Sequence, residues 1–140
     1  MKTKLLFLDI DGVVNCKTTV QRHEGFIGID PKLAEFVKRI IKETGCEVVL
    51  SSTWRLSERG RNHVRERVCD FIDVTSRSAS GFRGAEIQDW LLKNMQGKEY
   101  RYAILDDASD FYPSQPLYKT TWATGINASI AKRVIKHLNA

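Results

Sequence analysis

Two aspartates stand one residue apart at the end of an apolar run, and a glycine follows them at once. Asp9, Asp11 and Gly12 come after the run LLFL, which is typical of a fully buried strand. Carboxylates this close repel and raise each other's pKa unless an opposite charge compensates. The pair is therefore either a polar turn, which Asp and Gly favour for local reasons, or part of a site that holds a positive charge.

Polar side chains also end two later apolar runs. Ser51 and Ser52 follow the run EVVL, and Asp106 and Asp107 follow the run YAIL. In an open parallel sheet the carboxyl ends of the strands meet at one edge, and ligands bind there at a switch in strand order. We expect the carboxylates to converge at this edge and to bind a cation. Oxygen ligands without paired His or Cys favour Mg²⁺.

The elements that must position these residues alternate between strands and helices. The best-defined helix follows Asp30, a candidate N-cap, with Pro31 at its first position and Gly45 as its stop signal. Residues 15–29 lack a clear period and are predicted to form a loop with a short hairpin around Gly25. The other predicted elements are strands at 4–9, 46–52, 70–74, 100–107 and 116–122 and helices at 57–69, 84–95 and 127–138. This alternation predicts an α/β sandwich around a mainly parallel sheet.

The composition is that of a single globular domain over residues 1–140, with 42% hydrophobic and 28% charged residues. The net charge is +5, and seven of the eleven arginines lie between Arg55 and Arg83. This patch indicates either an anionic partner such as nucleic acid or a solvated helix face. Three cysteines without CxxC spacing are predicted to be reduced thiols. Because no apolar run could span a bilayer or direct export, we expect a cytoplasmic protein without a membrane partner, and no oligomeric state is predicted.

Four short motifs make the chain resemble the haloacid dehalogenase (HAD) superfamily of phosphotransferases. They are DIDGVV from Asp9, the strand end EVVLSS, Arg83 of GFRGAEI at a helix start, and the strand end AILDDASD. LSSTWR, RGAEIQDWL and ILDD are similar to the small HAD domains of RNA-repair proteins, and LDD also resembles the 3′-phosphatase domain of polynucleotide kinase-phosphatases. The resemblance implies a Rossmann-like three-layer sandwich with a mainly parallel central sheet and no large cap domain.

The resemblance also implies a role for each acidic residue. Asp9 would be the nucleophile that forms an aspartyl-phosphate, and Asp11 would be the general acid and then the general base. Mg²⁺ would be held by Asp9, the backbone carbonyl of Asp11 and Asp106, and Asp107 would bind it through water or orient the other ligands. Asp110 competes with Asp107 for its place, because both spacings occur in the superfamily. The second acid and the DD pair favour a phosphatase over a dehalogenase, which needs neither of them.

Two further motif residues would contact the phosphate. Ser52 would hydrogen-bond a phosphate oxygen, and Arg83 would neutralise the developing charge with its planar donor group. Strand alternation places Ser51 and Ser52 on opposite faces, and we favour Ser52 while Ser51 stays an alternative. Arg77 is the alternative to Arg83.

Four residues beside the motifs are predicted to bind substrate. Gly12 would allow the tight turn that brings backbone N–H groups to the phosphate. Trp54 and Arg55 would stack on and pair with a nucleic acid, although Trp54 is equally a candidate for a core or rim aromatic. Asn15 would either touch the substrate or cap the turn.

The gaps where this superfamily inserts cap domains are short in this chain. Only about 15 residues separate the first motif from the next helix, too few for a folded domain. An open site suits a large phosphorylated substrate. We therefore expect a Mg²⁺-dependent phosphatase acting on a nucleic-acid 3′-phosphate, at a DNA or RNA end, or on a nucleotide. The alternatives are a phosphatase for small metabolites or phosphoproteins, and a catalytically quiet nucleic-acid-binding module.

Overall fold

Five strands form a central sheet between helices in the computed structural model, which describes residues 2–140. In chain order the elements are β1 (Thr3–Leu8), β2 (Arg22–His23), β3 (Phe26–Ile27), α1 (Pro31–Thr44), β4 (Glu47–Leu50), a 3₁₀ turn (Thr53–Leu56), α2 (Glu58–Arg67), β5 (Asp73–Val74), α3 (Arg83–Asn94), β6 (Tyr100–Asp106), β7 (Leu117–Lys119) and α4 (Ala128–Leu138). The predicted α/β, Rossmann-like class is confirmed.

The central sheet has the strand order β5-β4-β1-β6-β7, and every neighbouring pair is parallel. Phe7 of β1 lies in register with Val49 of β4 and Ile104 of β6. These three side chains pack on the face covered by α3, whereas the alternate residues of the same strands pack against α1 and α4. Both faces of a parallel sheet are buried in this way, which explains why its strands read as apolar runs.

The first long helix begins and ends where local signals predict. The Asp30 carboxylate accepts a hydrogen bond from Lys32 N at 2.9 Å, and Pro31 occupies the first turn. Gly45 ends α1 in the left-handed region at φ 68°, and its N–H donates to the carbonyl of Ile41. These caps satisfy backbone groups that a helix end otherwise leaves unpaired.

The predicted hairpin around Gly25 is also present. Strands β2 and β3 pair antiparallel through Arg22 with Ile27 and His23 with Phe26. Glu24 and Gly25 form the two-residue turn with φ of 52° and 84°, as a hairpin turn with two positive φ values requires. The hairpin lies outside the central sheet and presents Phe26 to solvent.

The other predicted elements differ from the structure mainly at their ends. The third strand covers only 73–74 instead of 70–74, and the fifth covers 117–119 instead of 116–122. Helix α2 ends at Arg67, two residues earlier than expected. No helix among residues 2–140 is long and apolar enough to cross a bilayer.

Candidate active site

Three carboxylates meet at the carboxyl edge of the central strands. Asp9 follows β1, Asp106 ends β6, and Asp107 comes next in the chain; each has a carboxylate oxygen within 4.8 Å of the others. The β ladder continues to this point, because Asp9 N donates to the carbonyl of Leu105 at 3.0 Å. Asp9 and Asp106 are buried, with exposed fractions of 3% and 0%. The sheet thus brings three of the predicted acids to one place.

Burial and mutual repulsion make these acids harder to ionise. Burial raises the pKa of Asp9 well above its ordinary value, and the neighbouring charge of Asp106 raises it further. Burial likewise raises the pKa of Asp107, and again Asp106 adds to the effect. Arg83 acts in the opposite direction on both acids without cancelling the shift. A further cation at this place would favour the ionised carboxylates.

Arg83 is the arginine that reaches this cluster. Its Nη1 lies 2.7 Å from Asp106 Oδ2 and 3.4 Å from Asp9 Oδ2. Burial acts to lower the pKa of Arg83, but the two carboxylates outweigh it, and the pKa is raised. The alternative residue, Arg77, is exposed. Arg83 sits at the first position of α3, and its backbone N–H donates to Asp110 Oδ2 at 3.1 Å.

That last contact separates the two candidates for the second acid of the final motif. Asp107 belongs to the three-carboxylate cluster. Asp110, from the loop after β6, lies against the N-terminal end of α3. Its carboxylate accepts a hydrogen bond from Arg83 N, and its backbone carbonyl accepts one from Gly84 N. The geometry favours Asp107 as the acid that faces the site.

The two serines after β4 differ in their partners. Ser52 Oγ accepts a hydrogen bond from Trp54 N at 3.2 Å and caps the 3₁₀ turn. The buried Ser51 hydroxyl has no hydrogen-bond partner among the described residues. Ser51 also comes two residues after Val49, and side chains two apart share a face, so it lies in the same row as Asp9 and Asp106. The geometry therefore favours Ser51, where the sequence favoured Ser52.

Asp11 stands apart from the three-carboxylate cluster. Its side chain is exposed and accepts from Trp54 Nε1, at 3.2 Å from each oxygen, and from Asn15 Nδ2 at 2.9 Å. The buried Asn15 amide also donates to the Gly28 carbonyl and accepts from Gly12 N. Of the two roles predicted for Asn15, the geometry matches the cap of the turn, because its amide contacts are all with protein groups.

Trp54 lies beside two imidazole rings that stack on each other. Its ring centroid lies 5.5 Å from that of His23 and 5.8 Å from that of His63, and the rings are nearly parallel. Burial lowers the pKa of His63, and repulsion from His23 lowers it further, so the neutral form of His63 is favoured. Trp54 therefore joins the hairpin, α2 and Asp11, a combination that neither of its predicted roles included.

Arg55 does not face the open side of the site. The side chain is 6% exposed, and its Nε and Nη1 donate to the carbonyls of Thr75 and Ser52 at 2.8 Å. Its Nη2 lies 3.4 Å from Glu86 Oε1. The predicted contact with substrate is replaced by an internal one, which ties the end of β4 to the start of α3.

Two buried residues near the site were missed by the sequence analysis. Glu86 of α3 pairs with Arg55 and also accepts from the backbone N–H of Ser78 at 2.8 Å. Thr120 donates its hydroxyl to the carbonyl of Gly12 at 2.6 Å and its N–H to the carbonyl of Asp106 at 3.0 Å. No local pattern marks Thr120, because its hydroxyl contact joins residues 108 positions apart.

The three-carboxylate cluster fits a hard divalent cation. It supplies carboxylate oxygens, which Mg²⁺ prefers over nitrogen and sulfur ligands. Three acids lie near one guanidinium, and burial together with the charge of Asp106 raises the pKa of both Asp9 and Asp107. The residues present could therefore hold a metal ion.

Comparison with known proteins adds one finding. The family model described as the HAD domain in Swiss Army Knife RNA repair proteins matches residues 5–131, which include every site residue described above. No curated protein and no solved structure gives a match.

Proposed function

The chain belongs to this family of HAD domains, and from that premise we propose that it is a Mg²⁺-dependent phosphatase that removes a 3′-phosphate from an RNA end or a nucleotide. The family supports a phosphatase-type function in RNA repair. The observation that carries the proposal of a Mg²⁺-dependent phosphatase is that Asp9, Asp106 and Asp107 lie together with Arg83 at one edge of the sheet. We further propose that residues 1–140 act as one HAD-like domain.

In this proposal Asp9 supplies the nucleophile. A carboxylate oxygen of Asp9 attacks phosphorus, the bond to the nucleoside oxygen breaks, and an aspartyl-phosphate forms. Water then attacks the aspartyl-phosphate, which releases phosphate and regenerates the Asp9 carboxylate. The position of Asp9 at the end of a buried central strand suits this role, since the reacting oxygen is held by a rigid element.

Asp11 would move the protons for both steps. As an acid it gives a proton to the departing nucleoside oxygen, and as a carboxylate it then takes a proton from the attacking water. Its exposed carboxylate, fixed by Trp54 and Asn15, lies outside the three-carboxylate cluster and stays accessible to substrate.

The phosphate would be held by Arg83 and one serine hydroxyl. Arg83 offers a planar set of donors to the phosphoryl oxygens. Ser51 has a buried hydroxyl in the row of Asp9 and Asp106, which supports it over Ser52. Asp9, Asp106, Asp107 and the backbone carbonyl of Asp11 would bind Mg²⁺. When bound, Mg²⁺ would offset the negative charge of the carboxylates and of the transferring phosphoryl group.

Phosphate release from a 3′-phosphorylated RNA oligonucleotide tests the proposal. With Mg²⁺ present we expect turnover, and Asp9→Asn should lower it by about a thousandfold or more because the nucleophile is lost. EDTA should abolish the activity. Asp89→Asn is the matched control, since Asp89 is an exposed residue of α3 that pairs with Lys93 on the same helix. Equal rates for Asp9→Asn and the wild type would overturn the proposal.

A further inference from the structure

A cleft opens between the hairpin and the start of α2, beside the Asp11 carboxylate. Its volume is about 620 Å³, within the range of small-ligand sites. The hairpin contributes Phe26, the 3₁₀ turn contributes Trp54, and the segment after β7 contributes Trp122. Residues from three separate parts of the chain thus build one concave surface, and Asp11 forms part of its wall.

Two aromatic rings of this cleft are open to solvent. Phe26 is 76% exposed and Trp122 is 42% exposed. Large apolar side chains left exposed around a concavity mark an interaction site more often than a folding requirement. A flat π system can stack on such rings whatever its hydrogen-bonding groups, and every nucleobase provides one.

The cleft lies on the leaving-group side of the proposed reaction. Asp11, which would protonate the departing oxygen, lines it, whereas Asp9 and Asp106 are buried at the sheet edge. A group in the cleft is therefore next to the acid that acts on the leaving oxygen. In a 3′-phosphorylated strand that group is the terminal nucleoside.

The charge around the cleft complements the rest of a strand. Helix α2, which lines the cleft with Gly60, has four arginines and two glutamates among its ten residues. One of these arginines, Arg59, pairs with Glu24 of the hairpin, and 82% of its side chain is still accessible to solvent. Phosphates upstream of the terminal nucleotide would lie next to this basic surface and be attracted to its arginines.

We propose that the cleft binds the terminal nucleoside of a 3′-phosphorylated RNA strand, with its base stacked on Phe26 and Trp122 and the strand continuing over α2. This inference rests on the proposed function for the identity of the leaving group. It adds a base-recognition surface formed by the hairpin and the segment after β7.

The test compares two RNA oligonucleotides that differ only in the presence of the 3′-terminal base. We expect the wild type to prefer the base-bearing substrate over the abasic one in kcat/KM by about 5- to 150-fold, the range that one stacked base provides. Phe26→Ala and Trp122→Ala should each bring this ratio toward one. Tyr100→Ala should keep the wild-type ratio, because Tyr100 is an exposed aromatic at the opposite end of β6.

Direct binding separates this inference from the proposed activity. Fluorescence anisotropy with the Asp9→Asn variant measures the affinity for both oligonucleotides without turnover. If the wild type releases no phosphate but binding still depends on the terminal base and on Trp122, the phosphatase proposal fails and the base site stands. Equal affinity for the two oligonucleotides, or equal loss in Tyr100→Ala and Trp122→Ala, would overturn the base site.

Discussion

The indole N–H of Trp54 fixes the carboxylate that is proposed to serve as acid and base. It lies 3.2 Å from both oxygens of Asp11, and the indole ring also lies beside the stacked imidazoles of His23 and His63. A hydrogen bond to a charged group contributes about 1.5–3 kcal/mol, so this contact is strong enough to affect the rate. Trp54 is a positioning residue in this interpretation, because it acts through Asp11.

Trp54→Phe keeps a ring for the imidazole stack and removes the N–H. We expect kcat on a 3′-phosphorylated RNA to fall by about tenfold, with little change in KM. In kcat/KM, which reports the step that breaks the bond to the leaving group, the fall should be much smaller for p-nitrophenyl phosphate, since that leaving group departs without protonation. Steady-state kinetics on the two substrates provide the check, and an equal fall on both would indicate a merely structural role.

Gly12 meets two requirements at once. Its φ is 82°, and a Cβ at this position would collide with the carboxylate of Asp107. Gly97 offers a matched control, because its φ is 76° and a Cβ there would meet nothing within 4 Å.

We expect Gly97→Ala to lower the free energy of unfolding by about 1 kcal/mol through backbone strain and to leave phosphatase activity intact. Gly12→Ala should destabilise the protein further and displace Asp107, so that activity with Mg²⁺ is lost. Urea denaturation and phosphate release measure the two effects. Full activity in Gly12→Ala would contradict the placement of Asp107 at the site.

At the scale of elements, the buried pair of Arg55 and Glu86 connects β4 with α3. Arg55 binds carbonyls at the strand end, and Glu86 binds the segment that leads to Arg83. The serine and the arginine proposed to bind phosphate therefore depend on one internal ion pair for their relative positions.

Arg55→Met should leave the carboxylate of Glu86 buried without its partner. Removing one member of a buried pair costs about 3–5 kcal/mol, so we expect a loss of this size in urea denaturation. Arg39→Met removes the exposed pair with Glu43 on α1 and should cost less than about 0.5 kcal/mol. Similar losses in the free energy of unfolding for the two variants would show that the buried pair stabilises the protein no more than the exposed pair does.

The sequence predicted which strands and helices carry the site, but not which side chain at each strand end faces it. The meeting of acids after β1 and β6 could be expected, because strand ends of a parallel sheet converge. Arg83 could be expected only from the resemblance to the superfamily, and Asp11 lies outside the cluster. Choosing between Ser51 and Ser52 needed the register, since a shift of one residue moves a side chain to the opposite face. The partners of Arg55 could not be read from the sequence either, because Glu86 lies 31 positions away.

At the scale of the whole molecule, the site opposes the stability of the fold. The raised pKa values of Asp9 and Asp107 mean that both acids lose protons less readily in the folded chain than in the unfolded one. Their contribution to stability is present at low pH and is lost as the pH rises through the folded pKa values. Around neutral pH, a bound divalent cation should restore part of this lost stability.

We expect Mg²⁺ at about a hundred times its dissociation constant to stabilise the protein by about 2.7 kcal/mol, a rise of several degrees in Tm. Asp106→Asn should abolish this rise, because it removes a central carboxylate of the cluster. Asp89→Asn should keep it. Differential scanning calorimetry with and without Mg²⁺ provides the measurement, and an unchanged rise in Asp106→Asn would place the metal elsewhere.

The strand order has a consequence for the protein during its synthesis. Strand β1 is made before β6, yet the two strands pair through contacts such as Leu5 with Tyr102, about a hundred residues later. The ribosome must therefore release the segment from β1 through β6 before Asp9 and Asp106 can meet, and until then β1 has an unpaired edge. The proposed nucleophile is therefore synthesised well before its partners, and the site is complete only when the central sheet closes.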